Sequence, residues 1–550
     1  MAHDTPDGAP EGVTARSAVL DEAHVGDIRG ALGTIRHDDE GTRRGWRARL
    51  MTLAAIVGPG IIVMVGDNDA GGVATYSQAG QNYGNSLLWV LPLLIPVLVV
   101  NQEMVVRLGA VTGVGHARLI KERFGRFWGW FSVGDLFLLD FLTIVTEFIG
   151  VDLALGYFGV SKYVSVPLAG LGLVGMTATG SFRRWERFML VFVVANFLVV
   201  PLAVMSHPHL APVLHGFSTP GVRGGLNSTS VLLVIAIVGT TVAPWQLFFQ
   251  QSNIVDKRIT PRYINYERAD TVIGSLVTVI GATAMVATCA FAFDGTRFAG
   301  SFLNAGTVAH ALADRLGHAA GALYALVLLN ASIIGAAAVT LGTSYAFGDF
   351  FGAHHSLHRS FFQAKGFYAS FAALVAVAAA IVLLPGAPLG LITVSVQALA
   401  GVLLPSASVF LLLLCNDREV LGPWVNRTWL NAVAGLIIGI LLVMSLALVV
   451  QTAFPEVDVA MLSVVLGGAL AVGLAGMGLA SVSHRRSAGR PPAPATGRAA
   501  ANRDTWRMPP LTLLGRPPWS RQRVLGMWAL RAYLVVAVLL LLVKAVQLGH

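Results

Sequence analysis

The sequence predicts an all-α polytopic membrane protein of about 12–13 transmembrane helices, organised around one interrupted helix. Three observations carry this. Of the 550 residues, 55% are hydrophobic and only 12% charged, with a mean hydropathy of +0.69, whereas a soluble domain carries about 25% charged residues. Apolar stretches of the roughly 20 residues needed to span a bilayer recur along the chain. Inside the first of them sits Gly66-Asp67-Asn68-Asp69-Ala70-Gly71-Gly72. Carboxylates at that depth are costly unless they hold something, and the glycines let the backbone leave the helix. The stretch reads as the unwound centre of a broken helix, and as an ion site.

Taken in order, residues 1–48 are polar, lack the apolar core of a signal peptide and read as a disordered cytoplasmic tail. Spans follow near 52–80, 87–108, 128–157, 163–181, 186–206, 228–251, 269–293, 318–350, 366–384, 388–415, 430–452, 459–480 and 525–548. The loop charges test this register. Basic residues gather after every even span: Arg107 with Arg118, Lys121 and Arg123; Arg183, Arg184 and Arg187; Lys257, Arg258, Arg262 and Arg268; His354, His355, His358, Arg359 and Lys365; Arg418 and Arg427; Arg485, Arg486, Arg490 and Arg498. The odd-side loops 207–227 and 294–317 are poorer in Lys and Arg. That alternation puts the N-terminus in the cytoplasm. The three histidines read as part of a solvated basic loop rather than a metal cluster. Residues 481–524 are rich in Arg and Pro and read as a linker, so the last span looks like an appendage to a core of residues 49–480.

The net charge of +9 belongs to these topogenic loops, and nucleic acid is a poor explanation for it. Cys289 and Cys415 form no framework pattern. Gly170-Leu171-Gly172-Leu173-Val174-Gly175 lies in an apolar span with no preceding strand, so it reads as helix packing and not as a dinucleotide fingerprint. No catalytic serine, cysteine or phosphate loop is recognisable, which argues against an enzyme, and no cofactor is expected.

Transporters built of two inverted halves place a second broken helix about five spans after the first. The sixth span supplies it at Gly239-Thr240-Thr241-Val242-Ala243-Pro244-Trp245-Gln246, where Pro244 removes a backbone donor. A simple proline kink is the plainer reading of this stretch alone; its pairing with the first break favours a two-helix site. Repeat one then covers about 50–206, repeat two about 228–415, with two further helices over 430–480.

At these residues the chain resembles the natural resistance-associated macrophage protein (NRAMP) metal transporters, over roughly residues 50–480. That family has the LeuT-type fold and carries Asp-Pro-Gly-Asn followed by Ala-Thr on helix 1. Here Asp69-Ala70-Gly71-Gly72 and Ala74-Thr75 stand in those places. The family's Met-Pro-His on helix 6 is matched by Ala243-Pro244-Trp245, and its helix 10 pattern by Gln397, Leu404-Pro405 and the leucines 411–414. The resemblance implies that Asp69 binds metal and that Gln397 approaches the ion.

The departures matter as much. The family's soft Met ligand is Ala243 here, so discrimination against hard cations should go. Gly72 replaces an Asn ligand, while Asp67 and Asn68 add oxygen. Such a site suits Mg²⁺, which prefers oxygen ligands and keeps several waters, and it looks like the NRAMP-related magnesium transporter branch, which the resemblance implies carries Mg²⁺ and Mn²⁺ without proton coupling. Trp245 replaces the titratable His. Of the helix 3 acids, Asp140 and Glu147 remain while Gly150 stands at the third position, so the relay is incomplete. The candidate metal set is Asp67, Asn68, Asp69, Ala70, Gly72, Thr240, Ala243, Gln246 and Gln397, with Pro244, Trp245, Glu147 and Asp140 as gating or supporting residues. Asp67 also reads as a helix cap, Gln246 as a partner for a neighbouring helix, and Glu147 and Asp140 as members of a buried pair with Lys or Arg. The expected function is alternating-access import of Mg²⁺ and Mn²⁺ across the inner (plasma) membrane. The alternatives are a proton-coupled Mn²⁺/Fe²⁺ symporter and a Na⁺-coupled organic-solute carrier.

Overall fold

The computed structural model describes residues 22–39, 41, 43–385, 389–454, 457–458, 461–473, 475, 503–504, 506–515 and 521–548. With no water to satisfy the backbone, apolar runs fold as helices. The first predicted span becomes three of them: α1 (Trp46–Ile56), α2 (Pro59–Val65) and α3 (Ala70–Tyr83). The break before α3 is the one the sequence predicts. The bend of 56° between α1 and α2 is not. It forms at Gly58, whose φ of 156° suits glycine, and Pro59 then starts α2.

The chain continues through α4 (Val90–Thr112), a short helix α5 (His116–Phe124), α6 (Arg126–Tyr157) and α7 (Lys162–Thr177). Next come α8 (Phe182–Ala195), α9 (Val199–Met205) and a small connecting helix α10 (Leu210–Ser218). The sixth span breaks as expected, into α11 (Ser228–Thr241) and α12 (Pro244–Asp256). Then follow α13 (Ile264–Phe293), α14 (Ala305–Leu316), α15 (His318–Phe351), α16 (Lys365–Leu383), α17 (Leu389–Cys415), α18 (Arg418–Leu421) and α19 (Thr428–Ala453). The last two are α20 (Met461–Gly473) and α21 (Arg521–Leu548). Among the described residues, eight helical runs are long and apolar enough to cross a membrane, nine if α1 and α2 count as one bent span. The predicted linker 481–524 falls largely outside the described residues.

The packing aims both breaks at one point. α6 lies along α15, α11 along α17, and α13 against both α2 and α3. Backbones meet directly where α11 crosses α17: a side-chain carbon on Gly239 would stand 2.1 Å from the Gln397 carbonyl oxygen. The final helix is not a loose appendage. Leu530, Tyr533 and Leu534 of α21 pack against Leu139 of α6 and Leu399 and Leu403 of α17.

Among the described residues, the basic side chains of the even loops gather on one face; Arg485, Arg486, Arg490 and Arg498 lie outside the described residues. Arg258 donates to the Ala23 carbonyl, Arg262 to that of Asp39 and Arg187 to that of Ala31, while Arg107 donates to Asn426 and Arg123 pairs with Asp417. Two expectations fail there. Residues 22–39 are not a disordered tail. They form a short two-stranded hairpin, Ile28–Arg29 against Thr34–Ile35, with Ile28, Ala31 and Ile35 buried; three apolar side chains and an array of backbone acceptors suffice to dock it. Nor is the histidine loop simply solvated. His355 is buried with Nε2 3.1 Å from an Asp349 oxygen, and His358 Nε2 lies 3.0 Å from the Asp256 carbonyl. Only acids from two helix ends, invisible to a reading of the loop alone, make that burial tolerable.

At the same face Lys257 Nζ meets Glu186 at 2.6 Å, both side chains fully buried, and also donates to the Ile56 and Val57 carbonyls. Removing one partner strands a buried charge. Lys257→Met is expected to destabilise by about 3–5 kcal/mol, read as a lowered unfolding midpoint in detergent. Adding Glu186→Met should recover most of that loss, and no recovery would show that the pair is not what Lys257 contributes.

Candidate functional site

α2 and α3 end inside the protein, so their free backbone donors need acceptors. Asp69 meets one of them. As N-cap of α3 it accepts from the Gly72 N–H at 2.7 Å. Glu147, reaching in from α6, accepts from the Ala70 N–H at 3.1 Å. Gly335 on α15 faces both acids: a carbon added there would stand 2.6 Å from Glu147 Oε2 and 2.8 Å from Asp69 Cβ. On the other helix pair, Val242 and Ala243 adopt extended backbone and Pro244 opens α12. The two breaks touch through Thr240, whose hydroxyl lies 3.5 Å from Asp69 Oδ1, and through Thr241, 2.7 Å from the Tyr76 hydroxyl.

Gln246 donates its side-chain N–H to Asp67 Oδ1, and its oxygen accepts from Gln102 Nε2 at 2.9 Å. The other Asp67 oxygen has no hydrogen-bond partner among the described residues. Gln397 of α17 lies against Gly71, where an added carbon would fall 1.7 Å from its Nε2; among the described residues that Nε2 likewise has no partner. Gly72 leaves room for the Asp67 carbonyl and Thr240. The structure thus brings together Asp67, Asp69, Gly72, Thr240, Gln246, Gln397 and Glu147.

Four expected residues stand apart or play other parts. Asn68 turns its amide towards α13, donating to the Thr278 carbonyl at 3.2 Å, because the turn after α2 points successive side chains in different directions. Asp140 is held by Thr343 on α15 at 2.6 Å. Ala70 gives its N–H to Glu147 and no ligand atom from its side chain. Trp245 packs against Gly66, where an added carbon would lie 3.1 Å from its ring. Neither Glu147 nor Asp140 pairs with Lys or Arg among the described residues. The reading missed Gln102, which orients Gln246; the polar pair Asn101-Gln102 inside an apolar span was its signal.

The side chains of Asp67, Asp69, Gln246 and Gln397 are all buried. Among the described residues, no three His, Cys, Asp or Glu side chains converge closely enough to hold a metal. The other polar atoms gathered beside the carboxylates are the amide, hydroxyl and carbonyl oxygens of Gln246, Gln397, Thr240 and the backbone. On the side away from residues 22–39, a cavity of about 10 Å³, lined by Ala70, Thr146, Gly150, Asn304 and Thr393, gives the space of roughly one water.

A family model described as "Natural resistance-associated macrophage protein-like" matches residues 60–451. The chain belongs to the NRAMP family. Among its relatives, the divalent metal cation transporter MntH of Klebsiella pneumoniae is 28% identical over 404 residues, covering 72% of this chain and 93% of that protein. The MntH of Staphylococcus aureus is 27% identical over 432 residues, covering 72% and 91%. The manganese transporter of Eremococcus coleocola, solved in complex with an aromatic bis-isothiourea substituted compound, aligns with a TM-score of 0.60 at 20% identity, over 81% of this chain and 97% of that one. With the family comes the LeuT-type fold of paired broken helices.

Gly150 leaves no room for a side chain: a carbon there would stand 2.2 Å from the Ser332 hydroxyl and 2.5 Å from Ala70 Cβ. Gly150→Glu is expected to overpack the α3–α6–α15 contact, costing about 1–3 kcal/mol or more, read as lower detergent stability and yield. A well-folded Gly150→Glu protein would show that the space can reopen.

Proposed function

We propose that this protein moves divalent metal cations across the membrane by alternating access, carrying Mg²⁺ and Mn²⁺ without proton coupling. The observation that carries the reading is the oxygen-rich meeting of the two helix breaks, where Asp67 and Asp69 stand opposite Gln246 and Gln397 and Ala243 offers no sulfur. The names of the relatives, divalent metal cation transporter and manganese transporter, support the cargo class. The absence of a soft ligand at Ala243 supports hard cations. Trp245 carries no titratable proton, and Gly150 leaves the acid series on α6 short. Asp69 is proposed as the central ligand, Asp67 as the second carboxylate, and Gln246, Gln397 and Thr240 as oxygen donors to a partly hydrated ion.

The protein is placed in the plasma membrane with residues 22–39 on the cytoplasmic side, as the basic face supports. The transporting core is residues 49–480, with halves at about 50–206 and 228–415. A negative-inside potential of about 100 mV supplies roughly 4.6 kcal/mol to a divalent cation, enough for uncoupled import. Proton-coupled symport draws on one observation, the contact of Glu147 with the first turn of α3 beside Asp69.

Reconstituted vesicles carrying an internal pH dye separate these. Mg²⁺ and Mn²⁺ are expected to enter under negative-inside potential while internal pH holds. Lack of Mg²⁺ flux overturns the cargo assignment, and acidification during uptake overturns the uncoupled mechanism. Asp69→Ala should lower flux by about 10–100-fold or more. Ala243→Met, by restoring a thioether, should make Cd²⁺ a stronger competitor of Mn²⁺; unchanged competition would place the ion away from Ala243.

A further inference from the structure

Residues 22–39 make contacts that the transport reading does not use. Their hairpin wedges among the ends of α1, α8 and α12. Gly30 and Gly33 lie on α1 with no space between: added carbons would meet the Ala55 carbonyl oxygen at 2.0 Å and Ala55 Cβ at 3.0 Å. The Ala31 N–H donates to Glu186 of α8 at 2.5 Å, and its carbonyl accepts from Arg187 at 3.0 Å. Arg258, just past α12, donates to the Ala23 and Asp27 carbonyls. Arg262 donates to the carbonyl of Asp39 at 2.8 Å.

These ties span a hinge. α1 bends from α2 at Gly58, and the hinge is itself held: Asp270 accepts from the Gly58 and Gly60 N–H groups at 3.0 and 2.8 Å, and Lys257 bonds the last two carbonyls before it. Between the hinge and the central site runs a polar stripe on α12, at Gln246, Gln250 and Asn253, all buried; both polar side-chain atoms of Asn253 are without hydrogen-bond partners among the described residues. Such unpaired groups are costly in a sealed interior and satisfied when water reaches them. Swinging α1 away from α8 and α12 would admit that water, and the hairpin ties those three ends together.

We propose that residues 22–39 are a latch, which must release α1 before the central site opens to the face that bears them. The proposal builds on the alternating-access reading, but its test reads access and not only flux. Gly33→Cys with Ala55→Cys, in a chain also carrying Cys289→Ala and Cys415→Ala, places two thiols where an added oxidant joins them and a reductant parts them. Joined, the protein should lose metal flux, and a cysteine reporter at Asn253→Cys should lose labelling by a thiol reagent applied from the latch face. Reduction should restore both. Arg187→Ala with Arg258→Ala, which removes side-chain ties and leaves the core intact, should increase reporter labelling. If labelling follows the latch while no metal moves, the latch stands and the transport reading falls. If labelling is the same in the joined and reduced proteins, with the bond confirmed by mass spectrometry, the latch is overturned.

Discussion

The structure depends on the satisfaction of two helix ends inside the membrane. A backbone donor left bare in hydrocarbon costs several kcal/mol, so a helix can break there only if acceptors are brought to it. Asp69 and Glu147 bring them to α3, and Asp270 does so for α2. Each acid arrives on a different element, which fixes how α6 and α13 lie against the first helix. Of these acids, Asp69 is also the proposed central ligand and Glu147 stands beside it, while Asp270 serves the hinge at Gly58. At Asp69, structural need and proposed site chemistry share one set of atoms.

Much of this was legible in the sequence because membrane helices announce themselves by length and composition, and because a break within them needs glycine, proline and polar residues that stand out against the apolar background. The stretches at 66–72 and 239–246 were recognisable for that reason. Side-chain direction was not. Asn68 sits between two site carboxylates in sequence yet points to α13, since a single turn scatters consecutive residues. Gln102 was hidden because its importance lies in a partner, Gln246, far along the chain. The bend at Gly58 was masked by a run that is apolar on both sides.

The N-terminal segment failed for a different reason. Composition reads residues 1–48 as too polar to fold. The hairpin within 22–39 is held by arginines at 187, 258 and 262 and by the close contact of Gly30 and Gly33 with Ala55, so it draws its order from the face it sits on. The histidine loop makes the same point: His355 is buried and His358 half-buried against Asp349 and Asp256, which stand at the ends of two other elements. Loops that looked merely topogenic carry the closure of the molecule.

The pairing of Gln102 with Gln246 has one more consequence. A carboxamide is a donor at one end and an acceptor at the other, with nearly the same shape either way round. In the present arrangement Gln246 turns its nitrogen to Asp67, while the oxygen of Gln102 has no partner among the described residues. Rotating both amides end over end keeps a hydrogen bond between them and presents the Gln246 oxygen where its nitrogen stood. Without moving a backbone atom, a group that pacifies a bare carboxylate becomes one that welcomes a positive charge beside it.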